Sequence, residues 1–255
     1  MIYISQLLEQ EKLLQIISTY PVGLEVISFS IGSILDKLET SINYYERELS
    51  NIKEEVPLTF HGPFLDLFPG SCDERVRQLA KERFEASYKA SQSFNVHQMI
   101  FHTSYIPNYY PDQYWLENVM QFWEEFLEDK LETHIFYIEN VLDSHWEMLK
   151  QLIDHINHPH FKVCLDIGHV NVYSQKNVLD WIEALGERIG YVHLHNNDGI
   201  KDSHRGLLEG TLPIKEILTS LKRYTPNAIW SLEIGDEKEL RDSLEWLYDI
   251  LDTLR

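Results

Sequence analysis

The chain has 255 residues, 44% hydrophobic and 25% charged, the proportions of a folded globular protein rather than a disordered one. Its 22 basic and 41 acidic residues leave a formal net charge of −19, which repels phosphate backbones and argues against duplex DNA as a partner. No apolar run approaches the ~18–20 residues of a membrane span, and MIYISQLLEQEK has no basic stretch leading into an apolar one, so a cytoplasmic location away from membranes is expected.

Along the chain, short apolar runs alternate with longer amphipathic ones. Met1–Ser5 predicts a strand, and Gln6–Tyr20 a helix with Leu7, Leu8, Leu13, Leu14, Ile16 and Ile17 on one face. Pro21 stops that helix, Val22–Phe29 reads as a second strand, and Ile34–Leu49 as a second helix. Four further pairs follow, each a strand then a helix: Pro57–His61 and Asp73–Phe94, His97–His102 and Asp112–Leu131, His134–Glu139 and Ser144–Ile156, Phe161–Asp166 and Lys176–Arg188. Tyr191–His195, a long polar loop and Pro213–Tyr224 come next, then Ala228–Glu233 and Lys238–Leu251. Cys72 and Cys164 form no CxxC, so neither a disulfide framework nor a cysteine zinc site is indicated, and Cys164 reads as a small buried hydrophobe.

Eight strands and eight helices in alternation predict an α/β fold, a (β/α)8 TIM barrel forming one domain over residues 1–255. The strands are near-continuous apolar runs, as parallel strands covered on both faces require. No glycine-rich phosphate loop follows the first strand, which removes the support for a dinucleotide fold.

In such a barrel the active site gathers at the C-terminal ends of the strands. His61 ends the third predicted strand, His102 the fourth, Glu139 the fifth and Asp166 the sixth, with His169 just beyond. His193 lies near the end of the seventh, Asp202 and His204 follow in its loop, and Glu233 ends the eighth. Six consecutive strands thus bring imidazoles and carboxylates to one rim, the donor set of a divalent metal site. His97 and His134 begin strands and belong to the opposite face, while His145, His155, His158 and His160 read as surface residues. His195 alternates with His193, which points it to the other face of its strand or to a role orienting a ligand.

These segments, HGPF at 61, IEN, LDIGH, HLHNND with DSH, and LEIG at 232, resemble the xylose isomerase-like barrels, which include sugar phosphate isomerases and epimerases and the endonuclease IV family (AP endonuclease family 2). The resemblance runs over nearly the whole chain. In the isomerase and epimerase branch it implies one divalent ion held by Glu139, Asp166, His193 and Glu233. In the endonuclease IV branch it implies three zinc ions that also use His61, His102, His169, Asp202 and His204. Leu208-Glu209-Gly210 departs from that branch's glycine-glutamate-glycine, and the Pro107–Asp112 segment is aromatic rather than basic.

The chemistry therefore divides. An isomerase or epimerase would bind a small sugar or sugar phosphate on zinc, manganese or magnesium and use Glu139 and Glu233 as proton carriers. Phe64, Tyr105 and Trp115 are candidates for the pocket wall, and Arg205 and Lys201 for a substrate phosphate or carboxylate. A multi-zinc phosphoesterase would use more than one ion per chain, and a lyase or dehydratase fits the same barrel. A binding protein that keeps the metal for structure is the third class. Sequence is silent on oligomeric state.

Overall fold

The computed structural model describes residues 1–49, 52, 56–109 and 111–253; Tyr110, within the aromatic Pro107–Asp112 segment, lies outside them. Eight parallel strands close a barrel in chain order: β1 Ile2–Ser5, β2 Gly23–Val26, β3 Leu58–His61, β4 Gln98–His102, β5 Ile135–Glu139, β6 Phe161–Asp166, β7 Ile189–Leu194 and β8 Ile229–Leu232. Pairing of Tyr3 with both Gly23 and Ser231 shuts the ring. The helices are α1 Gln10–Thr19, α2 Gly32–Leu35, α3 Leu38–Leu49, α4 Glu74–Ser93, α5 Asp112–Leu127, α6 Glu147–Ile156, α7 Ile167–Tyr173, α8 Val178–Leu185, α9 Ile214–Tyr224 and α10 Glu237–Thr253.

Alternation along the strands makes two apolar zones. Ile4, Leu24, Phe60, Phe101, Phe136, Val163, Val192 and Leu232 belong to the large cluster between barrel and helices. The helices supply the other half of that layer, α5 with Trp115, Leu116, Val119, Phe122, Trp123, Phe126 and Leu127. Each large side chain buried there stabilises the fold by about 1.5–3 kcal/mol. The barrel's interior holds a separate small cluster of Ile100, Tyr137, Cys164 and Tyr191, confirming Cys164 as a buried residue. Above it the interior turns polar, and that change positions the site.

Local departures from the sequence pattern have local causes. The second strand stops at Val26 because Gln6 Oε1 accepts from the backbone of Ile27 and Ser28, and Ser28–Ser30 then form a 3-10 turn. The same residue delays α1: Gln6 N–H donates to Glu25 O at 2.9 Å, so the chain stays extended there. The expected helix over 34–49 is two helices, α2 and α3. Helix α7 is an element that apolar periodicity does not reveal. It starts directly on β6, with Asp166 accepting from His169 N–H at 2.7 Å as its N-cap.

Candidate metal centre

The C-terminal mouth brings together the ligand-type residues read from the sequence, and none of the nine points away. Glu139 ends β5, Asp166 ends β6, His193 sits one residue before the end of β7, and Glu233 immediately follows β8. One donor atom from each lies within 4.8 Å of the others. His193 Nδ1 stands 3.3 Å from Glu139 Oε1, 3.6 Å from Glu233 Oε2 and 3.7 Å from Asp166 Oδ2. It is buried and has no hydrogen-bond partner. An orphaned imidazole nitrogen among three buried carboxylates is costly unless a cation joins them, so the donor set fits a divalent ion.

Two further groups flank this one. His61 Nε2 and His102 Nε2 lie 3.2 and 3.4 Å from Glu139 Oε2, so the three can share an ion on one side. On the other side His169, His195, Asp202 and His204 form a four-residue group. His169 Nε2 and His204 Nε2 both reach Asp202 Oδ2, at 3.2 and 3.1 Å. His204 takes φ +45°, a left-handed backbone few non-glycine residues adopt, and its Nδ1 thereby meets Glu233 O at 3.0 Å.

His195 turns into the mouth rather than to the other face. Its Nε2 lies 3.1 and 3.2 Å from the two oxygens of Asp166, and its ring stacks on His204 at 4.2 Å. The room for that ring comes from Gly168, where a Cβ would fall 2.0 Å from His195 Cε1. His195 therefore stands as a tenth ligand-type residue at the mouth.

The imidazoles are aimed by their other nitrogen. His61 Nδ1 meets Gly62 O at 2.8 Å, and His169 Nδ1 meets Asn140 O at 2.9 Å, leaving Nε2 for the mouth. Asn140 in turn ties β5 to β6, donating to Asp166 O and accepting from Asp166 N–H. His193 is reversed: its Nε2 faces Glu25, at 3.1 and 3.2 Å from the two carboxylate oxygens.

Glu25, on β2, is the residue that strand-end reasoning misses. The signal was a single carboxylate inside the apolar run VGLEVISF, one position short of the end of β2. It belongs to a hydrogen-bonded layer under the ligands, accepting from Tyr191 OH at 2.8 Å, with Thr59 Oγ1 3.1 Å from that hydroxyl. Ser5 and Ser231 complete the layer, Ser5 Oγ donating to Glu233 Oε1 at 3.4 Å.

Protonation follows from this crowding. Burial opposes the charge on Glu139 and Asp166, but the surrounding histidines overcome it and hold both carboxyls well below the ordinary range. Burial likewise opposes a charged His193, and the neighbouring Cys164, Glu233, Glu25 and Glu139 overcome it and hold the imidazole well above its usual value, a proton standing where a cation would. Glu233 differs: burial, with Glu139 and Glu25 nearby, pushes it up despite His193.

The remaining sequence candidates lie around this core. Phe64 stacks on His102 at 4.4 Å and meets His61 edge-on at 5.2 Å, at the lip of the mouth. Tyr105 is buried, donates its hydroxyl to Asp112 at 2.6 Å and packs edge-on against Trp115. Arg205 grips Glu239 through Nε at 2.8 Å and Nη2 at 2.6 Å, and Lys201 is exposed. Arg205 thus anchors the loop after β7 to α10 while its backbone pairs with Asn196. His97 bonds Asn95, and His134 is buried behind the barrel, where burial lowers it to about 4. His145 and His155 pair with Glu147 and Glu124, and His160 with Leu131 O.

No described helix is long and apolar enough to cross a membrane. A protein of Methanocaldococcus jannaschii, the uncharacterised MJ1311, is 30% identical over 205 residues, covering 75% of this chain and 68% of the relative. A solved D-tagatose 3-epimerase-like protein superposes with a TM-score of 0.80 at 24% identity, over 99% of this chain and 97% of its own. The TTHB071 protein of Thermus thermophilus, from crystals soaked with zinc chloride, gives a TM-score of 0.80 at 21% identity over 100% and 99%. The family model that matches residues 32–250 is that of the xylose isomerase-like TIM barrels, and the chain belongs to that family.

Proposed function

We propose that this chain is a divalent-metal-dependent isomerase or epimerase acting on a small sugar or sugar phosphate, the whole barrel working as one catalytic domain. One observation carries the reading: Glu139 and Glu233 approach the orphaned His193 Nδ1 from β5 and from the end of β8, on two sides of one small mouth. Likeness to a D-tagatose 3-epimerase-like protein supports it. A divalent ion held by Glu139, Asp166, His193 and Glu233 supplies Lewis acidity that polarises a carbonyl and acidifies the adjacent C–H.

The chain's own residues do the rest. Glu139, at the end of β5, is placed as the base that removes the proton. Glu233, following β8, is placed to return one from the other side. Phe64 walls the lip against bulk water.

The two flanking groups favour a second reading, a multi-zinc phosphoesterase, because His61 and His102 share Glu139 and His195 reaches Asp166. Elemental mass spectrometry on protein purified without added metal, combined with ketose epimerisation and phosphodiester assays, separates them. About one exchangeable ion with epimerisation is the expected result; about three zinc with phosphodiester cleavage installs the second reading. Glu139→Gln and Glu233→Gln should each lower turnover at least ~1,000-fold with circular dichroism unchanged. Near-native rates in either variant would sink the assigned roles.

A further inference from the structure

We infer that Glu25 is a positioning residue: it holds the hydrogen of His193 on Nε2, so that Nδ1 turns its lone pair to the ion among Glu139, Asp166 and Glu233. The inference rests on the metal-site reading above and deepens it. Glu25 and His193 are both fully buried, and both carboxylate oxygens of Glu25 lie within 3.2 Å of Nε2. An ionised carboxylate only accepts, so the shared hydrogen belongs to the imidazole. A neutral imidazole with its hydrogen on Nε2 carries its lone pair on Nδ1, the atom left without a partner inside the carboxylate ring.

Glu25 is itself held in place. Tyr191 OH donates to Oε2 at 2.8 Å and Thr59 Oγ1 stands 3.1 Å from that hydroxyl, so a chain from β3 through β7 to β2 fixes the carboxylate. His61, His169 and His204 have Nδ1 on backbone carbonyls, which no substitution removes, whereas His193 depends on a side chain. A charged acceptor also makes Nδ1 a stronger donor to a cation than a backbone carbonyl does. By this route β2, which places no ligand at the rim, governs the ligand of β7.

The test uses the full chain stripped of metal, with Zn²⁺ titrated against a competing chelator and imidazole ¹H–¹⁵N spectra of the loaded protein. Glu25→Ala should weaken binding of the first ion by about 10–100-fold. Glu25→Gln, whose amide oxygen still accepts from Nε2, should lose less, and the wild type and this variant should both show His193 with hydrogen on Nε2. Tyr191→Phe should give a smaller loss than Glu25→Ala with the same tautomer. A folded Glu25→Ala that binds Zn²⁺ like wild type overturns the inference. Should Glu25→Ala not fold, hydrogen on Nδ1 of His193 in the loaded wild type or in Glu25→Gln does so instead. Failure of the wild-type chain to take up any ion overturns the metal site and this inference together. Wild-type protein that binds zinc through this tautomer but epimerises no sugar overturns the proposed activity and leaves Glu25 in its role.

Discussion

His204 shows how closely charge and metal binding are tied at the level of single side chains. Burial works against its charge, but the hydrogen bond with Asp202 and the nearby carboxylates of Glu233 and Asp166 raise it to about 9. Its folded value thus exceeds the ordinary one of 6.5, so in the metal-free protein this ion pair stabilises fully below about 6.5 and the contribution is lost as pH rises through about 9. An ion entering the group of His169, His195, Asp202 and His204 needs the neutral imidazole. Uptake there should therefore release protons and tighten with pH up to about 9, then level off. Calorimetry in buffers of different ionisation enthalpy measures the protons; pH-independent uptake would show that His204 is no ligand. Most of the ligand-type residues were legible because they are the polar ends of apolar runs, as in IFH and YIE, or follow such an end in the next loop. His195 was read only as facing the other side of its strand or orienting a ligand, and Glu25 was not read at all, because their roles depend on which way a side chain turns past a strand end and on what lies across the barrel.

Among the elements, α7 carries more of the site than its length suggests. Its seven residues are too few for an apolar period to show, so the sequence reads only the longer helix that follows. Yet Asp166 as its cap and His169 in its first turn both face the mouth, and Gly168 between them makes way for His195. The ring of His195 is held by Asp166 on one side and His204 on the other, so it can make room for a methyl only by giving up those partners. Gly168→Ala should thus cost about 1–3 kcal/mol of stability and displace His195 from its group. Denaturant unfolding and zinc stoichiometry check both parts; an unchanged midpoint with unchanged zinc content would mean that the imidazole swings aside freely. The strands, by contrast, were legible to within a residue or two at β3 to β6, where apolar runs end on polar ones. Of the boundaries that moved, those at β2 and α1 answer to hydrogen bonds of Gln6, which no periodicity encodes.

For the molecule as a whole, the closed ring of eight parallel strands was legible from the count and alternation of elements alone. Its closure concentrates four buried carboxyls, Glu25, Glu139, Asp166 and Glu233, in one mouth of a chain whose net charge is −19. A divalent ion held there, as proposed, would offset that repulsion and would bind only the folded form. At a free ion concentration about 100 times its Kd the stabilisation is about 2.7 kcal/mol, which raises Tm by on the order of 5–10 °C for a chain of this size. Scanning calorimetry with and without a chelator should show that difference, and superimposable transitions would argue that no ion is held by the native barrel.

The seam between β1 and β8 sets when this can happen. Ser5 and Glu233 meet across 228 positions of sequence, and the fourth member of the central group arrives with the last strand. On a ribosome, Glu139, Asp166 and His193 all emerge before Glu233 exists. The nascent chain therefore exposes an incomplete set of donors, and the proposed ion site is complete only once the final strand has been made and has docked beside the first.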